Sequence, residues 1–491
     1  MSLKKYTFWL LVGSQDLYGE DVLRQVNDHA KIIVDGLNED PSIPGTVVFK
    51  PVVRNQREIY DAIAAANADD GCAGVMTWMH TFSPSKMWIP GLSILKKPYL
   101  HLNTQFNRDI PWGEIDMDFM NLNQSAHGDR EHGYIGARMR LNRKVIAGHW
   151  TDGQFRHDMA VWMRAAVGAA VSKKVRVLRL GDNMRNVAVT EGDKVDAAIR
   201  LGWRVDYYGV GDYIEYVEKV TEGEIDNMMA RYGELYDIDT ADIDAVRYQA
   251  REQVALEKFM QEGEFTALTT NFEDLQQLKQ LPGLACQDVM RQGYGFGGEG
   301  DWKTAAMTNI MKQMADGLEG GTAFMEDYTY HLEPGNQMIL GAHMLEVCPS
   351  LAKGRAKIQV HELGIGDRQP PARLVFDTPA GKGIVVSLID MGDRFRMIVN
   401  DIECVDQPFE MPKLPVASVL WKPLPDLRTS AQAWIYAGGA HHSVLSYALT
   451  AEHMRDLAEI LDMEYIHIGK ETDLEQLRKE LVWNDFVWKN K

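Results

Sequence analysis

Cysteine is scarce in this chain. Its 491 residues include only four, Cys72, Cys286, Cys348 and Cys404, scattered and with no Cys-x-x-Cys pair. That argues against a disulfide scaffold and for a reducing compartment, the cytoplasm. Positive charge is also short: 52 basic against 70 acidic residues give a formal net charge of −18. Such a protein repels phosphate backbones, so nucleic acid is not an expected partner. No apolar run approaches the roughly 20 residues needed to span a bilayer, so no membrane role is expected. The opening Met1–Gly13 has the texture of a leader, but its apolar run is short and Gln15-Asp16 follows directly. It reads as a buried first strand. The short signatures of nucleotide loops and of His-Glu-x-x-His metalloproteases are missing too.

What is present is an ordinary globular composition, 45% hydrophobic and 25% charged. The length is too great for one core, so two to four domains are expected. The first third alternates strand and helix patterns. Strands are expected at Thr7–Val12, Thr46–Val53, Ala73–Trp78, Tyr99–Leu102 and Lys144–Ala147. Between the first two, Leu23, Val26, Ala30, Ile33 and Leu37 repeat at helical spacing. This alternation predicts βαβ units and a mainly parallel sheet, with Gly13-Ser-Gln15, Met79-His80 and Asn103-Thr-Gln105 at the carboxyl ends of strands, where ligands bind.

A second α/β pattern begins near Lys173. Its strands are Lys174–Leu180, Trp203–Tyr208 and Phe265–Thr270, with a long helix from Ile243 to Met260. Asp301 is placed to cap a helix carrying Met307, Ile310, Met311 and Met314. After about residue 322 the texture changes to short strands between Pro, Gly and Asp turns: Lys357–Val360, Arg373–Phe376, Gly383–Ile389 and Arg394–Asn400. Antiparallel pairing is expected there, as a barrel or sandwich, with one more helix at Ala451–Leu461. The expected division is 1–172 and 173–322, each an α/β domain, then 323–491, mainly antiparallel β.

The stretch from Gly293 to His343, with His441-His442 far downstream, has the composition of a site. Glu299 is glycine-flanked and sits just before the helix opened by Asp301, where the positive end of the helix favours an ionised carboxylate. A metal ligand and a plain capping acid are equally good readings of it. Glu326 lies between apolar and aromatic neighbours, where an unpaired acid is costly to bury. The plainer reading is a hairpin acid, a role that suits Asp327 better. His343 lies in an apolar segment and, taken alone, reads as a core histidine. Small residues precede His441-His442 and leave room for a cation; strand neighbours face opposite ways, so one of the two is expected to ligate. Two carboxylates and two imidazoles can hold a divalent cation with positions left open. His127, beside Gln124 and Gly128, either hydrogen-bonds a sugar hydroxyl or is a satisfied turn histidine.

Seven blocks together closely resemble the L-arabinose isomerase family. They are Val12-Gly-Ser-Gln-Asp-Leu-Tyr-Gly19, Trp78-Met-His-Thr-Phe-Ser-Pro-Ser-Lys-Met-Trp88, Met117-Asp-Phe-Met-Asn-Leu-Asn-Gln124, Gly298-Glu-Gly-Asp-Trp-Lys303, Phe324-Met-Glu-Asp-Tyr-Thr-Tyr-His331, His343-Met-Leu-Glu-Val-Cys-Pro349 and Gly438-Gly-Ala-His-His442. The likeness runs in order along essentially the whole chain. It implies an L-fucose isomerase-like fold, two Rossmann-like doubly wound α/β domains and a C-terminal β domain, and an aldose–ketose isomerase of L-arabinose catabolism, acting also on D-galactose to give D-tagatose. It implies one Mn2+ per subunit, replaceable by Co2+ or Mg2+, on Glu299, Glu326, His343 and His442. Glu299 and Glu326 would be catalytic. Gln15, Met184 and Phe272 would line the sugar pocket, and His127 would reach a neighbouring subunit's site in a hexamer. An L-fucose isomerase, an exported sugar-binding protein and a metal-dependent hydrolase are the rival readings.

Overall fold

The computed structural model describes residues 3–364, 367–408 and 411–490. The chain forms two compact units, Met1–Ala170 and Val171–Lys491. In the first, β1 (Thr7–Val12), β2 (Thr46–Phe49), β3 (Cys72–Trp78), β4 (Tyr99–Asn103) and β5 (Lys144–Ala147) form a parallel sheet in the order β2-β1-β3-β4-β5. All seven residues of β3 are buried, as a central strand covered on both faces requires. The helix Gly19–Glu39 buries Leu23, Val26, Ala30, Ile33, Val34 and Leu37, one stripe at spacings of three and four. β2 ends at Phe49, short of the expected Val53; Pro51, which cannot donate to a ladder, follows.

The second unit contains another parallel sheet. Its strands β6 (Arg176–Leu180), β7 (Arg204–Tyr208), β9 (Ala267–Thr269) and β10 (Gly295–Gly297) run in the order β10-β9-β6-β7. Strand β8 (Asp237–Ile238) belongs instead to a small sheet with β13 (Lys357–Val360) and β14 (Ala372–Val375). The remaining strands make a mostly antiparallel sheet: β11 (Thr322–His331), β12 (Met338–Ala342), β15 (Gly381–Asp390), β16 (Phe395–Val405), β17 (Ser418–Pro423), β18 (His442–Ser446) and β19 (Glu464–Ile468). The order β15-β18-β11-β12-β17-β16 returns from β16 to β15, which closes a barrel of six strands; β19 joins β16 in parallel. Closure removes the free edges of the sheet.

The helix Trp302–Met314 lies between the parallel sheet and the barrel, and nearly all its residues are buried. Its approach explains the glycine run. A side chain at Gly295 would strike the carbonyl of Ala305, and one at Gly297 the carbonyl of Asp301. These glycines bring helix and strand close together rather than cradling a phosphate. After residue 322, where one helix is expected, the structure has two more, Leu427–Ala437 and Leu474–Lys489. Among the described residues, no helix is long and apolar enough to cross a membrane.

Candidate metal centre

The turn from β10 into the helix Trp302–Met314 carries Glu299. Its φ is +61°, a left-handed conformation that costs an ordinary residue on the order of 1–3 kcal/mol and is held only where surroundings dictate it. They do so here. The Glu299 carbonyl accepts the N–H of Met184 at 3.0 Å, and Gly300 (φ +83°) is pressed against Asn183, whose Cα an added Cβ would meet at 2.5 Å. Asp301 caps the helix, accepting the Thr304 N–H at 3.2 Å and its hydroxyl at 2.7 Å.

The barrel brings the other side chains. His442 is the first residue of β18, Glu326 lies on β11, and His343 follows directly on β12. In register Glu326 stands opposite His442 on one side and Ala342 on the other. Three neighbouring strands thus deliver His442, Glu326 and the Ala342-His343 corner side by side.

Glu299, His343 and His442 each present one potential ligand atom, and these atoms lie within 4.8 Å of one another. The Glu299 carboxylate is 3.3 Å from His441 Nε2 and 3.7 Å from His442 Nε2. Each buried imidazole is held from behind. His442 Nδ1 donates to Asp301 at 3.1 Å, and His343 Nδ1 donates to Glu346 at 2.6 Å. A carboxylate acceptor calls for the proton on Nδ1, so in the neutral form of either ring Nε2 is the nitrogen that carries the lone pair. His442 Nε2 is buried with no hydrogen-bond partner. A side chain at Gly298 would come within 2.8 Å of His343 Nε2, so this glycine keeps that nitrogen clear. Two imidazole lone pairs and a carboxylate, converging and backed by acids, suit a divalent transition-metal ion. Glu326 falls outside the set of three, and His441 touches Glu299 without joining it.

Burial opposes ionisation of Glu299, but the His441 hydrogen bond and the neighbouring imidazoles outweigh it and hold its pKa below the usual range. For Glu326 burial prevails, aided by Glu299, and its pKa is raised. Asp301 is buried, yet Lys303 and His442 keep it ionised. Burial pushes His442 down, while Glu346 overcomes burial and raises His343. Asp327 is driven up to about 7 by burial and by Glu326.

The other expected residues fall in both units. Phe272, half-buried, has its ring 6.4 Å from that of His343, and Met184 is tied to Glu299 through its backbone. In the first unit, Gln15 donates to the Phe82 carbonyl at 3.0 Å. His127 is exposed, stacks on Phe82 at 4.6 Å and contacts the Gln124 amide oxygen at 3.1 Å. The sequence reading gave Asp301 only a capping role and left Glu346 and Lys303 without one. Lys303 is wholly buried; its ammonium donates to the carbonyls of Val189, Thr190 and Glu191 and lies 3.2 Å from Asp301. Their nearness in sequence to Glu299 and His343 was the available signal.

Fold and site together define an α/β protein whose barrel carries a histidine–carboxylate centre suited to a divalent cation. Comparison with known proteins narrows this. Residues 2–174 match the L-arabinose isomerase N-terminal domain, 176–317 the central domain and 321–464 the C-terminal domain. The chain is 56% identical to an L-arabinose isomerase of Geobacillus stearothermophilus over 497 residues, covering 100% of both chains. It is 57% identical to one from Anoxybacillus flavithermus, covering 100% of this chain and 99% of the relative. For one from Thermotoga petrophila the identity is 54%, covering 99% of each. The chain belongs to the L-arabinose isomerase family and is an aldose–ketose isomerase.

Proposed function

We propose that this enzyme interconverts L-arabinose and L-ribulose in L-arabinose catabolism, and also turns D-galactose into D-tagatose. The observation that carries the reading is the convergence of Glu299, His343 and His442 with a buried, unpartnered His442 Nε2, in a chain that matches its relatives over their full length. Glu326, opposite His442 in register, completes the proposed ligand set for one manganese ion; Co2+ and Mg2+ are the expected substitutes. When bound, the metal would stabilise negative charge developing on O1 and O2 of the open-chain sugar.

The chain's own residues move the protons. One carboxylate of the Glu299/Glu326 pair takes the C2 proton as O1 gains one, which gives a cis-enediol. The other moves the proton between O2 and O1, and return of a proton to C1 gives the ketose. Gln15, Met184 and Phe272 are assigned to the sugar pocket, and His127 to the site of a neighbouring subunit. On this reading the enzyme is a cytoplasmic homo-oligomer, a hexamer, with sites between subunits. Its domains on this reading are 1–172, 173–322 and 323–491.

The test is to strip divalent ions with a chelator and restore Mn2+. Ketose formation is then followed from L-arabinose, D-galactose and L-fucose. Loss and recovery of activity on L-arabinose and D-galactose is expected. Full activity without metal, or a preference for L-fucose, would overturn the reading.

A further inference from the structure

Two carboxylates behind the metal centre stand in the same relation to the two imidazoles. Asp301 accepts His442 Nδ1, and Glu346 accepts His343 Nδ1. They come from different elements, the cap of the helix Trp302–Met314 and the segment after β12. Both side chains are 1% exposed, so water does not compete for these contacts. Each acid is itself fastened. Asp301 takes Thr304 and lies beside Lys303, which is anchored on three carbonyls of the 189–191 turn. Glu346 also accepts the backbone N–H of Leu345 at 3.0 Å. A cap needs only the contacts to Thr304, and a loop staple only the contact to Leu345. Neither role requires an imidazole proton at the same oxygen, and the arrangement occurs twice in one site.

We infer that Asp301 and Glu346 are positioning residues that fix the Nδ1–H tautomer of His442 and His343 and aim both Nε2 lone pairs at the ion. The inference rests on the metal-centre reading. A free imidazole in water exchanges between two tautomers and rotates about its side-chain bonds. Held by a buried acceptor it does neither, so the metal meets a formed donor set. The Lys303 anchor passes the position of the 189–191 turn to Asp301, and hence to His442.

The experiment has two arms. In the first, Mn2+ is titrated into chelator-treated wild-type enzyme, Asp301→Asn and Glu346→Gln, and free Mn2+ is read by electron paramagnetic resonance. The Mn2+ Kd is expected to rise roughly 10- to 100-fold in each variant. Asparagine still caps a helix and glutamine still fills the cavity, so the secondary structure seen by circular dichroism is expected to persist. An unchanged Kd in both folded variants would overturn the inference. In the second arm, 15N spectra of histidine-labelled, metal-free wild-type enzyme report the tautomers directly, whether or not the variants fold. Nδ1–H at His343 and His442 is expected; Nε2–H at both overturns the proposal. Failure of the wild-type enzyme itself to bind Mn2+ would sink the metal-centre reading, while the tautomer result would still judge the pairing.

Discussion

Glu326 and His442 stand directly opposite one another on the paired strands β11 and β18, so both side chains leave the barrel on one face. An acid at that position keeps a raised pKa, chiefly through burial. If it handles a proton of the sugar, Glu326→Gln should lower kcat by about 10²- to 10⁴-fold, and Glu299→Gln likewise. Steady-state assays with saturating Mn2+ decide; near-normal turnover in either variant removes that residue from the chemistry.

Two glycines flanking Glu299 should behave differently. Alanine at 298 meets His343 Nε2 at 2.8 Å, a contact with the ligand nitrogen rather than with backbone. Gly298→Ala is therefore expected to weaken Mn2+ binding with little change in melting temperature. Alanine at 300 meets the backbone of Asn183 at 2.5 Å and must also hold φ +83°. Gly300→Ala is expected to lower the melting temperature by several degrees. Calorimetry with a metal titration separates the two, and equal effects would contradict the assignment.

Lys303→Met is expected to destabilise the enzyme by about 3–5 kcal/mol, because it strands a buried carboxylate and three carbonyls. Lys303 and Asp301 are both fully buried in the present arrangement. Urea unfolding at neutral pH checks this. A loss under about 1 kcal/mol would mean that water replaces the ammonium.

In the first unit, His80 is buried against His29, their ring nitrogens 2.8 Å apart, and burial holds its pKa at about 3. The ordinary value is near 6.5, so the fold prefers the neutral ring. The stability this contributes is complete above about pH 6.5 and is lost as pH falls toward 3, at about 1.4 kcal/mol per unit. His80→Gln should therefore lose less stability than the wild-type chain between pH 7 and 4.5. Parallel urea curves at the two pH values test it; identical losses would assign the acid sensitivity elsewhere.

The strands of the first unit were legible as short runs alternating with helical spacing such as Leu23–Leu37; Thr7–Val12 and Lys144–Ala147 match their expected bounds, as does Lys357–Val360 in the second unit. Barrel closure was not legible. β11 pairs with β18 more than 100 residues away, and the alternation of a strand does not name its partner. The helix Leu474–Lys489 was missed for a plainer reason. It lays Leu474, Leu477 and Leu481 against a small core cluster, but Val482, Trp483, Phe486 and Val487 stay exposed, so its apolar residues run round the helix and blur the stripe.

At the site, the likeness of motifs put Glu299, Glu326, His343 and His442 in one set; Glu299, His343 and His442 converge, and Glu326 falls outside that group. Asp301 was readable only as a cap, because its second partner, His442, is 141 positions away. Asp327 was the better hairpin acid by its neighbours, yet its Oδ1 is buried without a partner. Turn chemistry in the sequence says nothing of what folds over it.

The hoop of six strands has a consequence for divergence. A ribbon with open sides can slide by one residue and turn its contents inside out, whereas a closed ring cannot do so without breaking every rung. The spacing of His442, Glu326 and His343 is thus locked mechanically. The turns of the α/β layer that carry Met184 and Phe272 lie outside the ring and can change without loosening it.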